Sequence, residues 1–162
     1  MKKTKMCKAC WSITGVLLIV IIGMGYKFII QGDVAQLDDN RVAIQLTKSE
    51  RDLVLTEMRI FLQSVQQITS GISNDELTLA ADSARQSGSN AQIAVPGTLI
   101  GKLPIGFKKL GFDTHAKFDE LALDAEQLGD SSHTLSQLNS LLENCVSCHA
   151  AYRFEIEATV SN

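Results

Sequence analysis

The sequence predicts an all-α protein: an antiparallel four-helix bundle preceded by one N-terminal transmembrane helix. Apolar residues recur at alternating steps of three and four in several long segments, which is the spacing of one face of a helix. No segment of useful length alternates apolar and polar residues as a half-buried strand does, and only two prolines interrupt the 162 residues. A long apolar run near the N-terminus adds the membrane helix.

The N-terminal apolar run has the length and the flanks of a membrane-spanning signal-anchor. Residues 1–10 form a basic flank with four lysines, and residues 11–30 are almost entirely apolar. About 20 such residues cross a bilayer as a helix, and positive charge before them places the N-terminus in the cytoplasm. The sequence therefore predicts a single-pass protein of the cytoplasmic membrane with its C-terminal domain in the periplasm. A cleaved signal peptide is the alternative, although Asp33-Val34-Ala35 is a poor cleavage site.

The charge distribution argues against binding to nucleic acid. From Asp33 onward the chain contains 10 basic residues and all 18 of the acidic residues, a formal charge of −8. Nucleic acids are bound by clustered lysine and arginine. The part beyond the membrane is therefore expected to remain in solution or to meet basic partner proteins.

Residues 31–46 are predicted to be a linker, and residues 47–162 to form the four-helix bundle. The first bundle helix begins at Thr47-Lys-Ser-Glu50, which has the spacing of a capping box, and ends at Gly71. Its apolar stripe consists of Val54, Met58, Phe61, Val65 and Ile68.

The other three helices follow after short connections. The second begins at another capping-box sequence, Ser73-Asn-Asp-Glu76, and the third and fourth cover residues 113–128 and 132–157. Residues 88–111 are too apolar for a solvated linker and are expected to pack over the core as short helical turns. The residues predicted on the buried faces are Leu77, Ala80, Ala81 and Ala84 of the second helix, Phe118, Leu121, Ala122, Ala125 and Leu128 of the third, and Leu135, Leu138, Leu142, Cys145, His149, Tyr152 and Ile156 of the fourth.

The strongest functional signal is the sequence CVSCH near the C-terminus. Cys145, Cys148 and His149 lie within one turn of the fourth helix, where positions i, i+3 and i+4 point to one side. Two thiols can bond to two vinyl groups of a porphyrin while the imidazole binds its iron, and CxxCH is the attachment sequence of c-type haem. The sequence therefore predicts one covalent haem c with His149 as an axial ligand. A disulfide would strain a regular helix and zinc would need a fourth ligand, so both are weaker alternatives.

A second CxxC sequence, from Cys7 to Cys10, is interpreted as coincidence. Trp11 stands where the histidine of a haem site would be. The predicted orientation also leaves both thiols in the reducing cytoplasm, where structural disulfides are rare. Redox sensing and weak metal binding are the alternatives.

The chain resembles the cytochrome c′ family, here in a membrane-anchored form. Members are exported four-helix bundles with CxxCH near the C-terminus on the last helix, and CVSCHAAYR continues that pattern through Tyr152 and Arg153. In the first helix, Arg51, Leu55 and Met58 match the Arg-xxx-Leu/Met-xx-Met stretch of the family. The resemblance covers most of the chain beyond the linker, whereas the membrane anchor departs from it.

The resemblance implies a haem environment formed by Arg51, Leu55, Met58, Tyr152 and Arg153. Of these, Arg51 would lie near a propionate, and Arg153 would lie one turn beyond His149 and bias its electrostatics. Leu55 would face the distal side of the iron, and since leucine cannot bind a metal the iron would be five-coordinate. Met58, three residues further on, is the alternative sixth ligand, as a methionine is in the low-spin relatives.

Two functions follow from a haem in this setting. The first is one-electron transfer between redox partner proteins at the outer face of the cytoplasmic membrane. The alternative is a five-coordinate haem that binds NO or CO, for scavenging or sensing. No nucleophile–base pair or carboxylate dyad supports a hydrolase, so an enzyme is not predicted, and any activity is expected to be redox chemistry at the haem iron. An interaction module without haem is a third hypothesis, and because members of the family often dimerise, a homodimer is a further expectation.

The remaining histidines and the one basic cluster beyond the membrane flank are expected at the surface. His115 and His133 each lie near a predicted helix start, off the apolar stripes. Lys102, Lys108 and Lys109 are expected to be solvated, with contacts to propionates or to an acidic partner as the alternative.

Overall fold

The structure is a computed structural model that describes residues 3–36 and 39–157, with side chains from residue 9 onward. This part of the chain contains six α-helices and a three-stranded sheet. The helices are α1 (Lys3–Gly25), α2 (Lys48–Ser73), α3 (Leu77–Arg85), α4 (Gly97–Lys102), α5 (Ile105–Leu128) and α6 (Ser131–Ala151). A π-helical turn, Tyr26–Gln31, continues α1, and a 3-10 helix, Ser89–Ala94, stands between α3 and α4. The strands are β1 (Val34–Gln36), β2 (Val42–Leu46) and β3 (Tyr152–Ile156). The prediction of a mainly helical protein is confirmed.

Helix α1 and the π-helical turn after it form the predicted apolar segment. Residues Ala9–Gln31 are long and apolar enough to cross a bilayer. None of the most apolar part is buried within the protein, so these side chains contribute nothing to its core. One N-terminal helix of spanning length is therefore confirmed. Cys10 is an exposed free thiol on α1, and the side chain of Cys7 lies outside the described residues.

Helix α2 begins where the first capping box predicts. The Glu50 N–H donates to Thr47 Oγ1, and the Thr47 N–H donates to Glu50 Oε2. The prediction of a second capping box, at Ser73 to Glu76, is wrong. Ser73 is still the last residue of α2, where its hydroxyl donates to the Thr69 carbonyl, and Glu76 precedes α3 without a side-chain hydrogen bond. The helix satisfies the serine internally, so the hydroxyl is not available to cap the next helix.

Four helices enclose the main apolar core. Helix α3 packs against α2 and α5, and α6 packs against α5 and α2. The face of α3 that carries Ala80, Ala81 and Ala84 is buried as predicted, and these small side chains let the neighbouring helices approach closely. The prediction of burial is wrong for three apolar residues. Leu128 and Leu135 are 59% and 52% exposed, because both stand near the turn at Gly129 that joins α5 to α6, and Ile156 is 53% exposed at the end of β3. The largest core residues are Phe61, Ile68, Phe118, Leu121, Leu138 and Leu141.

Helix α3 is much shorter than its neighbours. Its 9 residues extend about 13 Å, whereas the 26 residues of α2 extend about 39 Å. The chain after Arg85 covers the remaining length with the 3-10 helix and α4, whose Leu99 is buried. Residues 88–111 thus do begin as short helical turns. However, α5 starts at Ile105, eight residues earlier than predicted, directly after Pro104, which is favoured at a helix start.

The three-stranded sheet replaces two predicted features. Its order is β1-β2-β3, with β1 antiparallel to β2 and β2 parallel to β3. The linker predicted for residues 31–46 is therefore wrong, because β1 and β2 lie within it. The prediction that the fourth helix reaches Glu157 is also wrong: α6 ends at Ala151, and Tyr152 of β3 pairs with Val42 of β2. This pairing joins segments more than a hundred residues apart, so it could not be predicted from spacing, although β3 itself alternates apolar and polar residues as a half-buried strand does.

Hydrogen bonds to backbone carbonyls join the end of the apolar segment to the helical domain. The Asp33 N–H donates to the Lys102 carbonyl at 2.7 Å, and Lys108 Nζ donates to the carbonyls of Phe28 and Ile29 at 2.9 and 3.2 Å. Gly32 lies at this junction with a φ of 70°, a conformation that favours glycine. The segment therefore meets α4 and α5 directly instead of through a free tether.

Lys102 forms a partly buried cluster of ion pairs beside this junction. Its Nζ lies 2.7 Å from Glu50 Oε2 and also pairs with Glu157. The expectation of a solvated lysine is therefore wrong for Lys102, and also for Lys108. Burial would raise the pKa of Glu50, but hydrogen bonds from Lys102 and Thr47 outweigh it and hold that pKa below its usual value. The cluster ties α2, α4 and the end of β3 together.

Replacing Lys102 with methionine is expected to lower the free energy of unfolding by about 2 kcal/mol at neutral pH, because two carboxylates lose a charged hydrogen-bond donor. Since the folded pKa of Glu50 lies below the unfolded value, this contribution is present above the unfolded pKa and is lost as the pH falls through the folded pKa. Urea unfolding of the full chain in detergent, followed by circular dichroism at neutral pH and at about pH 3, measures the difference. The exposed Lys109→Met is the control, and an equal loss at both pH values would contradict the expectation.

Candidate functional site

A cavity of about 550 Å³ lies between α2, α5 and α6 and is covered by residues 86–103. It lies where the short α3 does not cover the longer helices α2 and α5. Its volume is typical of cofactor and small-molecule sites, which are mainly apolar with a few polar groups. Leu103 and Phe107 in its wall are next in sequence to Lys102 and Lys108, which contact the end of the apolar segment, so the cavity lies on that side of the domain.

The three functional side chains of CVSCH all line this cavity. They stand in the last two turns of α6, with both thiols half-buried and His149 exposed at the rim. The predicted stripe placed Cys145 and His149 in the interior and Cys148 at its edge. That placement is wrong for His149, because α6 ends only two residues later and leaves its last turn uncovered. Cys145 and Cys148 are free thiols in this structure and are not joined by a disulfide.

Burial sets the protonation state of the two thiols. It raises the pKa of Cys145, and together with the neighbouring Cys145 charge it raises the pKa of Cys148 to about 11. Both are therefore neutral thiols near pH 7, whereas metal-binding and redox-active cysteines usually have lowered pKa values. Among the described residues, no group of three His, Cys, Asp or Glu side chains is placed to hold a metal ion. The described side chains alone therefore form no zinc site at this cavity.

The wall contributed by α2 differs from the one that the resemblance implies. Met58 lines the cavity, and Val54 and Phe61 lie beside it in the wall. Arg51 and Leu55 are partly buried but do not line the cavity. This part of the wall is therefore formed by Met58 and its neighbours on α2, not by Leu55.

Tyr152 and Arg153 lie on β3, not on the last helix. The Tyr152 ring packs edge-on against Phe107 with the ring centres 5.5 Å apart, so it supports the cavity wall from behind. Arg153 Nη1 lies 3.3 Å from Asp39 Oδ2, and Arg153 also pairs with Glu155. The expectation that Arg153 lies one helical turn beyond His149 is wrong, because the chain is already extended there.

His115 is a cavity residue that the sequence reasoning missed. It is 4% exposed and lines the cavity, so the expectation of a surface histidine is wrong. Its Nδ1 lies 2.8 Å from the Ser87 carbonyl, and its Nε2 lies 3.5 Å from Glu57 Oε1. Burial would lower the pKa of His115, but Glu57 and the Ser87 carbonyl outweigh it and raise that pKa. His133, in contrast, is exposed as expected and lies 3.0 Å from Asp124.

The burial of His115 could have been predicted if the third helix had been extended toward its N-terminus. His115 precedes Phe118 by three residues and Ala122 by seven, so it belongs to the same apolar stripe. The sequence predicts that the third helix begins at Asp113, only two residues before His115, and the predicted apolar stripe therefore does not include His115.

Comparison with known proteins adds no family assignment. No family model, no curated protein and no solved structure matches this chain.

Proposed function

We propose that this protein carries one covalent haem c and transfers single electrons between redox partner proteins at the outer face of the cytoplasmic membrane. In this proposal Cys145 and Cys148 bond to the porphyrin and His149 binds its iron. One observation carries the proposal: the two thiols and the imidazole of CVSCH all line the same apolar cavity of about 550 Å³.

The residues of the cavity fit a porphyrin. A porphyrin is a flat and mostly apolar ring, and the walls are formed chiefly by aliphatic and phenyl side chains. The half-buried thiols are neutral and unpaired, so they are available for thioether bonds. When bound, the iron would supply one-electron redox chemistry, with a reduction potential set by its ligands and by burial. The apolar walls would keep water from it, and Tyr152 would hold Phe107 in place.

The proposed architecture is that of the cytochrome c′ family. Helices α2, α3, α5 and α6 would form an antiparallel bundle, with α1 as an uncleaved anchor and the bundle in the periplasm. The cyclic packing of these four helices and the helix of spanning length support this.

Electron transfer is favoured over binding of NO or CO. The five-coordinate alternative depended on Leu55 at the distal side of the iron, and Leu55 does not line the cavity. Two side chains that can bind iron, Met58 and His115, do line it. With either side chain as a second ligand the iron would be low-spin and would have no position for a gas.

Expression of the full chain in a host competent in cytochrome maturation tests the proposal. The purified protein is expected to have the mass of the chain plus one haem and to keep its colour after acid-acetone extraction. A redox titration is expected to follow a one-electron curve, and the ferrous protein is expected to bind CO poorly. A protein with the mass of the bare polypeptide would reject the proposed function.

A further inference from the structure

A polar pair, the buried His115 and the partly buried Glu57, lines the same cavity as CVSCH. His115 Nε2 lies 3.5 Å from Glu57 Oε1, at the outer limit of a hydrogen bond. Burying an imidazole in a largely apolar wall costs free energy unless its nitrogens are bonded. In His115 the Ser87 carbonyl satisfies Nδ1, whereas Nε2 has only the long contact to Glu57.

The hydrogen bonds of His115 determine which ring nitrogen is available. Nδ1 lies 2.8 Å from the Ser87 carbonyl and 3.2 Å from the Gly88 carbonyl, and because carbonyls only accept, Nδ1 carries a hydrogen. The Phe61 ring packs edge-on against the imidazole at 5.0 Å and restricts its rotation. Metal-binding histidines commonly donate their other N–H to a backbone carbonyl, which orients the free nitrogen toward the metal. Nδ1 of His115 is held in this way, and Nε2 faces only the Glu57 carboxylate at 3.5 Å, a contact that binding to iron would replace.

The position of Met58 in the cavity wall is explained by packing. Met58 is partly buried and packs against both apolar clusters of the domain. An unbranched and flexible side chain in such a place is typical of a residue that fills gaps in a core. Packing therefore explains Met58 without a role as a ligand.

We propose that His115 binds the haem iron through Nε2 as a second axial ligand, in addition to His149 and in place of Met58. This inference rests on the proposed haem. Two imidazole ligands make the iron low-spin and suit a protein that transfers electrons without binding a substrate at the metal.

Spectroscopy of the haem-loaded full chain tests this assignment. Electron paramagnetic resonance and near-infrared magnetic circular dichroism of the ferric wild type are expected to show a low-spin iron with two imidazole ligands. His115→Asn removes Nε2 while keeping a side-chain N–H for the Ser87 carbonyl. We expect this variant to lose the low-spin signal and to bind CO when reduced, and added imidazole is expected to restore the low-spin signal.

Met58→Leu is the matched control and is expected to leave the spectrum unchanged. A wild-type band characteristic of methionine bound to ferric haem, lost in Met58→Leu, would overturn the assignment, as would a high-spin wild type. Haem that is attached but insensitive to His115→Asn would reject only this inference, whereas a bare polypeptide would reject the proposed function as well. Far-ultraviolet circular dichroism of His115→Asn establishes that it is folded. If it is not, His115→Ala refolded in the presence of imidazole gives the same comparison.

Discussion

Replacing Cys145 and Cys148 together with alanine is expected to abolish covalent attachment of haem. Both thiols line the cavity, and a thioether requires the sulfur atom. Intact-mass analysis after expression in a host with a cytochrome maturation system is expected to give the bare polypeptide for the double variant. Each single variant is expected to retain much less haem than the wild type, because CxxCH attachment uses both thiols.

The cysteine near the N-terminus provides the matched control. Cys10 is an exposed thiol on α1, remote in sequence from the cavity and not part of its wall. Cys10→Ala is expected to retain haem as the wild type does. Retention of covalent haem in the double variant at positions 145 and 148 would show that the attachment site is elsewhere, and the proposed site would then be wrong.

Replacing Gly32 with alanine is expected to break the junction between the apolar segment and the helical domain. A Cβ at this position would lie 2.7 Å from Leu103 C and from Pro104 N, and closer still to Lys102 O. All three atoms belong to the backbone and have little room to shift. The residue also has a φ of 70°, which costs a non-glycine residue about 1–3 kcal/mol before any clash. We expect a total loss of about 3 kcal/mol or more in the free energy of unfolding.

Urea unfolding of the full chain in detergent measures this loss, and limited proteolysis shows where the chain opens. New cleavage is expected between residues 31 and 46, where β1 and β2 would lose their contact with α4. Gly97→Ala is the control, because a Cβ there meets no atom within 4 Å, and its effect is expected to stay below about 1 kcal/mol. A Gly32→Ala variant as stable as Gly97→Ala would mean that the junction is not held as described.

Local patterns in the sequence predicted most of the helices. The apolar spacing along α2 and α5 identified Phe61, Ile68 and Phe118, and these residues form the core. The first capping box gave the start of α2 correctly. The second capping box failed because Ser73 has the same composition signal but bonds within α2, a choice that depends on where the chain turns.

Contacts between distant segments could not be predicted. Strand β3 alternates apolar and polar residues from Tyr152 to Ile156, but a pattern of five residues does not by itself show that the chain leaves the helix there. Its parallel partner, β2, lies more than a hundred residues earlier in the chain. The cavity exists because α3 ends at Arg85 while α2 and α5 continue, so its walls come from four separate parts of the chain. The position of Met58 in the wall, and of Leu55 outside it, depends on how α2 is rotated against these neighbours.

The sequence by itself determined the apolar N-terminal helix, the helical character of the domain and the CVSCH group on the last helix. These depend on residues within one or two turns of each other, where spacing alone decides which side chains share a face. Only the tertiary structure decided the sheet, the close junction at Gly32 and the burial of His115 beside Glu57. Each of these requires groups far apart in the chain to meet, and a linear pattern carries no signal for such a meeting because its free energy comes from packing and pairing between elements.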